Sequence, residues 1–350
     1  MNRTDDVLSR RRKRTWRYLV YVLVGLAITL TLGACVFVCQ MRRVLGNAGF
    51  FESWREGVDG QTITDLEYGA QEWNRMDVYI PREISPQRSS SAVVYIHGGA
   101  WVMGSRREEN GEARRTAKLG YLTATIDYML FTQKTQENYS MEQVLNEIDA
   151  ALIRLREFAH ERGLDLQRVA LSGTSAGGHI ASLYAYSRGE RAPIPVVFVS
   201  ARVAPIDFHE ATWREAQPRE SLLKILSAMR HERLSANDWD ESNEAFAQKI
   251  NSVSPLAYLT PEHTVPTLSC YGDSDMLIGP GHVKALQERF EALGAKSIVD
   301  ANPADESTPV FDCILYVDSG HLLESDKAAR TRTQELFTRY AQRYLDVATE

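Results

Sequence analysis

Cysteine is scarce in this sequence, with four among 350 residues, too few for a disulfide framework of the kind that staples small secreted domains. Cys35 and Cys39 fall inside an apolar N-terminal run, and Cys270 and Cys313 each stand in a strand-like apolar stretch, where buried free thiols are expected rather than a bridge. Clusters of Cys, His, Asp and Glu at metal-ligand spacing are missing, as are internal repeats and low-complexity tracts. The main body also lacks positive charge: residues 1–43 hold nine Lys and Arg against Asp5 and Asp6, which leaves about −13 on residues 44–350. An acidic body without basic stripes is a poor match for a phosphate backbone, whose neutralisation supplies most nucleic-acid affinity. Nucleic acid is therefore excluded as a partner.

Long hydrophobic runs are absent too, with one exception. Tyr18–Cys39 contains 22 consecutive residues without a charge, and as a helix rising about 1.5 Å per residue it would span about 33 Å, the thickness of a bilayer core. It follows the basic cluster Arg10-Arg11-Arg12-Lys13-Arg14. This order predicts a signal anchor over 18–39, a cytoplasmic basic tail over 1–17 and an extracytoplasmic body. Leu32-Gly33-Ala34-Cys35 also resembles a lipobox, which would make Cys35 a lipid anchor after cleavage. Val36-Phe37-Val38 continue the apolar run, which favours the uncleaved anchor.

Beyond this segment, residues 40–63 read as a polar linker or lid and 64–350 as one domain. Thr64–Pro81 alternates around a turn signal at Gly69, as two antiparallel strands would. Ala92–Ile96 (AVVYI) is a continuous β-branched run of the kind buried on both faces of a parallel sheet. Similar runs recur at 121–126, 168–171, 196–199, 265–270 and 313–317, separated by helical patterns at 107–118, 141–162, 177–187, 281–294 and 323–346. The alternation predicts a doubly wound α/β fold. A charged, helix-leaning insertion at about 201–255 is placed to cap a site.

Gly173-Thr174-Ser175-Ala176-Gly177 follows the strand pattern VALS and opens a helical pattern, the setting in which G-x-S-x-G raises a serine above a sheet edge on a strained turn. Upstream, His97-Gly98-Gly99-Ala100-Trp101 follows AVVYI. Glycines there let backbone N–H groups approach an oxyanion, so Gly98, Gly99 and Ala176 are the expected donors. Trp101 is expected against the substrate, and His97 is expected to brace the loop.

A base must follow the serine in the chain. His321, in Asp318-Ser319-Gly320-His321 after the strand pattern CILYV, is the one histidine of eight in such a setting. The acid that orients it is expected in Gly272-Asp273-Ser274-Asp275, with Asp275 preferred because the first loop residues must turn the chain, and Asp273 as the alternative.

These four motifs together resemble the α/β-hydrolase superfamily, and within it the serine carboxylesterases related to hormone-sensitive lipase and the acetyl or feruloyl esterases. The resemblance covers roughly residues 64–346. It implies acyl transfer to Ser175 and then to water, with Asp275 as the acid and no metal or organic cofactor. The implied substrate is a small or glycan-linked ester. Ala100 stands where many lipases have glycine, which points to smaller esters. Met129 stands where relatives carry arginine, so a salt bridge supporting the Asp127 loop is expected to be missing. An amidase, peptidase or formamidase-like reaction on the same three residues remains the alternative, with a non-catalytic hydrolase fold behind it.

Overall fold

The apolar runs become the strands of a single eight-stranded sheet in this computed structural model, which describes residues 54–213, 218–299, 310–321, 323 and 327–347. The strands are β1 Gly60–Glu67, β2 Arg75–Pro81, β3 Ser91–Ile96, β4 Leu122–Ile126, β5 Arg168–Thr174, β6 Val196–Arg202, β7 Thr267–Gly272 and β8 Phe311–Tyr316. They lie in the order β1-β2-β4-β3-β5-β6-β7-β8. Only β2 runs against its neighbours; from β4 to β8 every pairing is parallel. All six residues of β3 are buried, which a strand sustains only when helices cover both faces of its sheet.

The helices are α1 Asn110–Lys118, α2 Met141–His160, α3 Ala176–Arg188, α4 Glu210–Trp213, α5 Arg219–Arg230, α6 Glu244–Asn251, α7 Pro255–Tyr258, α8 Pro280–Ala292 and α9 Lys327–Tyr344. Strand alternation divides the core in two. Val94, Ile96, Leu171 and Val199 pack with α2, α3 and α8 on one face, while Val93, Tyr95, Phe198 and Leu268 pack with α1 and α9 on the other. Helix α2 shows why its sequence folds as it does. Ser140 accepts a hydrogen bond from Gln143 N at 3.1 Å as its N-cap, and Val144, Ile148, Ala151, Leu152, Leu155 and Phe158 fall on one buried stripe.

Three expectations change. The domain starts before residue 64: Gly60–Ile63 already belongs to β1, and Trp54 packs edge-on against Tyr79 with ring centres 6.0 Å apart. The salt bridge expected to be missing beside Met129 is supplied from elsewhere, because Arg106 binds Asp127 through Nη1 and Asp77 through Nε at 2.8 Å. Glu147 on α2 meanwhile accepts the Met129 N–H at 2.6 Å. The insertion is helical as expected, holding α4 to α7, but its packing runs deep, with Trp213, Leu222 and Leu226 buried in the core.

Cys270 and Cys313 are free thiols. They sit on adjacent strands, but Cys313 pairs with Ser269 and Cys270 with Ile314, so the one-residue offset sends the two sulfurs to opposite faces. The tail 1–17, the apolar run 18–39 with Cys35, and residues 40–53 lie outside the described residues. Among the described residues no helix is long and apolar enough to cross a membrane.

Candidate active site

Strands β3, β5, β7 and β8 end along the same edge of the sheet, and each delivers one of the motifs there. Ser175 follows β5 with φ 55° and ψ −121°, a conformation that costs a non-glycine residue roughly 1–3 kcal/mol. Its surroundings impose it. A Cβ on Gly177 would stand 2.0 Å from Ile96 O and one on Gly173 2.4 Å from the Gly177 carbonyl carbon, so only glycines let helix α3 start this close to β3. The Ser175 N–H donates to Arg202 O at 2.8 Å, tying the turn to β6.

His321 Nε2 lies 3.0 Å from Ser175 Oγ, and His321 Nδ1 lies 2.7 Å from Asp275 Oδ2. A carboxylate only accepts, so Nδ1 carries the proton and Nε2 is left with its lone pair toward the serine hydroxyl. The Asp275 side chain is fully buried, and its Oδ1 accepts from Leu277 N at 2.8 Å and Ile278 N at 3.0 Å. Asp273 is instead exposed, with the Ser274 hydroxyl donating to it at 3.1 Å. The two loops are stitched together by Asp273 N to Tyr316 O and Ser274 N to Ser319 O, each 3.0 Å. The structure thus brings Asp275, not Asp273, to His321.

Gly99 adopts φ 109° at the end of β3, where Val102 N and Met103 N both donate to its carbonyl at 3.0 Å. The N–H groups of Gly98, Gly99 and Ala176 have no backbone acceptor among the described residues. His97 is buried and stacks on Tyr128 with ring centres 4.4 Å apart. Its Nδ1 donates to Gly98 O at 2.7 Å, and burial lowers its pKa, so it serves as a neutral brace of the loop.

Trp101 is almost wholly buried, and its indole N–H donates to His179 Nδ1 at 3.2 Å. His179 Nε2 donates in turn to Val253 O at 2.8 Å. Burial holds both His179 and His282 near pKa 4, which keeps their rings neutral. The remaining histidines stand apart: His160, His231 and His263 are exposed, and His209 pairs with Asp207 at 2.7 Å.

Beyond Ala100 opens a cavity of about 190 Å³, walled by Trp101, Val102 and Phe131 on one side and by Ile225, Ala228 and Met229 of α5 on the other. Its lining is nearly all carbon, so it favours an apolar group. Ile225, Ala228 and Met229 of the insertion thus line the same cavity as Ala100 and Trp101. Sequence reasoning missed a set of polar groups beside the turn: Glu109, Thr174 and Arg202 form a hydrogen-bonded cluster directly before Ser175.

The BD-FAE family model matches residues 76–290. Among curated proteins, a probable isoprenylcysteine alpha-carbonyl methylesterase of Oryza sativa subsp. japonica is 34% identical over 122 residues, covering 35% of this chain and 28% of that protein. The isoprenylcysteine alpha-carbonyl methylesterase of Arabidopsis thaliana is 24% identical over 258 residues, 68% of this chain and 54% of that protein. The chain spans about half or less of the length of these relatives. Among solved structures, a truncated carbohydrate esterase from gut microbiota superposes with TM-score 0.62 at 16% identity, covering 83% of this chain and all of that one. Esterase B from Lactobacillus rhamnosis does so with TM-score 0.61 at 18% identity, covering 89% and 94%. These two structures share the fold.

Proposed function

Because this chain belongs to the BD-FAE family and has the α/β-hydrolase fold, we propose that it is a serine carboxylesterase in which Ser175 is the nucleophile, His321 the general base and Asp275 the acid that orients the base. The observation that carries this assignment is the pair of contacts on His321, 3.0 Å to Ser175 Oγ and 2.7 Å to Asp275 Oδ2. Ser175 Oγ attacks the ester carbonyl carbon while its proton passes to His321 Nε2. The carbonyl oxygen becomes an oxyanion received by the N–H groups of Gly98, Gly99 and Ala176, each typically worth about 100- to 1000-fold in rate. When the tetrahedral adduct collapses, His321 returns the proton to the departing alcohol. Water then repeats the sequence on the acyl-enzyme, and Ser175 is regenerated.

The substrate is a short-chain ester, acetyl or slightly larger, carried on a small molecule or a glycan. The 190 Å³ cavity supports this size, since a cavity of about 150 Å³ already holds a benzene ring, whereas a long acyl chain would need a far longer slot. Residues 18–39 anchor the enzyme in a membrane with the hydrolase domain on the extracytoplasmic side; the support is the uncharged run behind the Arg10–Arg14 cluster. Membrane association that survives carbonate washing and disappears on deletion of 1–43 tests the anchor.

Hydrolysis of p-nitrophenyl esters from acetate to palmitate, with Ser175→Ala as control, tests the chemistry. The expected result is turnover falling with chain length and lost on the order of a millionfold in the variant. Full activity of Ser175→Ala would overturn the assignment.

A further inference from the structure

The loop that carries Gly98 and Gly99 and the turn that carries Ser175 must hold a fixed separation for an oxyanion to meet its donors, and one short segment grips both. Gly104 has φ 106°, and a Cβ there would stand 2.5 Å from both Gly98 O and His97 Nδ1. The chain therefore passes close under the oxyanion loop before entering a 3₁₀ turn at Arg106–Glu109. At the first residue of that turn, the Arg106 N–H donates to Asp127 Oδ1 at 2.6 Å, and its guanidinium binds Asp77 at 2.8 Å together with Asp127 and Asp65. At the last, the Thr174 hydroxyl donates to Glu109 Oε1 at 2.8 Å. Arg202 closes the cluster by donating to Thr174 Oγ1 at 3.0 Å through Nε and 2.8 Å through Nη2, and to Glu109 Oε2 at 2.6 Å. Glu109 and Arg106 are both buried.

We propose that the Arg106–Glu109 turn is a strut that sets the distance between the oxyanion donors and the nucleophile, with Glu109 and Thr174 as positioning residues acting through the Ser175 backbone. This rests on the reading of Ser175 as the nucleophile. The physical reason is that a buried ion pair locks the geometry of the hydroxyl it shares, because every alternative leaves a polar atom unsatisfied in low dielectric. Arg202 is doubly engaged, since its carbonyl accepts the Ser175 N–H at 2.8 Å while its side chain holds Thr174. A shift of the Thr174 side chain therefore moves the residue that follows it.

Thr174→Val is the direct test, since it keeps size and branching, leaves Glu109 paired with Arg202 and removes only the shared hydroxyl. Thr174→Ser is the rescue variant. We expect Thr174→Val to lower kcat about 10- to 100-fold, the range for a hydrogen bond to a charged group, with KM within about twofold. Affinity for a short alkyl boronic acid, which forms a tetrahedral adduct on the serine, should fall by the same factor, and Thr174→Ser should restore both. Glu109→Gln should give the same split. The inference is overturned if Thr174→Val keeps kcat and boronate affinity, or if Thr174→Ser fails to rescue while the melting temperature drops in both variants. Ser175→Ala, run alongside, separates the two readings: retained turnover there sinks the nucleophile assignment itself, whereas a neutral Thr174→Val sinks only the strut.

Discussion

The turn at Ser175 and the helical insertion that lines the cavity beyond Ala100 are held in different ways. The turn is held mainly by backbone against backbone, where Gly173 and Gly177 pass too close to Gly177 and Ile96 for any side chain, with the Thr174 hydroxyl tethering it to Glu109 and Arg202. The insertion is fixed by side chains, with Leu222, Leu226 and Met229 of α5 buried among residues from distant parts of the chain. Backbone collision tolerates no drift, which suits atoms that must meet within tenths of an ångström. Side-chain packing tolerates volume-conserving exchange, which suits a wall whose task is to choose the size of what enters. On the proposed reading of Ser175 as nucleophile, the two regions divide the labour between rate and selectivity.

The division is broken most severely on the rate side. Asp275→Asn leaves shape nearly intact but offers its amide where His321 Nδ1 must donate, favouring the wrong tautomer; the comparable change in a serine protease costs about 10,000-fold in kcat. The same loss is expected here, with KM little changed, whereas Asp273→Asn should leave steady-state rates within about twofold, as expected for an exposed surface position. Equal losses in the two variants would mean that the loop, not the His321 contact, matters. On the selectivity side, Ala228→Leu adds bulk to the cavity wall without harming helix propensity. It should lower the ratio of kcat/KM for hexanoate over acetate by about 10- to 100-fold, the scale for steric discrimination by small alkyl groups, and leave acetate turnover nearly unchanged. An unchanged ratio would place the acyl chain outside the cavity.

What was legible in the sequence follows the same line. The turn left a trace because its steric demand is met by glycines at fixed spacing, and His321 left one because it follows a strand at the place where a loop can cross the sheet edge. Asp275 could be preferred over Asp273 from turn geometry alone. The cluster of Glu109, Thr174 and Arg202 left no trace. Its ion pair joins residues 93 apart, and a threonine inside G-x-S-x-G carries no pattern of its own. Arg106 was invisible for the same reason: it fills from another loop the charge that a neighbour of Asp127 was expected to supply. The start of β1 was missed because this edge strand is half-exposed, with only Gly60 buried, so its first residues show no apolar alternation to read.

Two neutral rings pack against the insertion, His179 from the helix behind Ser175 and His282 from α8, and they make this junction sensitive to acid. His179 links the Trp101 indole to Val253 O in the insertion. His282 accepts from Ile206 N at 3.3 Å and lies edge-on to Trp213 at 4.7 Å. For both, burial is the main cause of a pKa near 4; the Val253 carbonyl partly opposes it at His179, and Asp207 and Asp275 partly oppose it at His282. In the unfolded chain the imidazole titrates near 6.5. The folded pKa is the lower one, so the unfolded state binds more protons between these values. The stability that the rings contribute is complete above about pH 6.5 and is lost as pH falls toward about 4. The slope is at most about 1.4 kcal/mol per pH unit for each ring. Urea midpoints measured from pH 7 to 4.5 should fall steadily in the wild type and more shallowly in His282→Phe, which removes one titrating ring while keeping an aromatic against Trp213. Its Nε2 is buried with no partner, so the exchange gives up little there. If both proteins lost stability with the same slope, the acid sensitivity would lie elsewhere than at this junction, and the two regions would be coupled by packing alone.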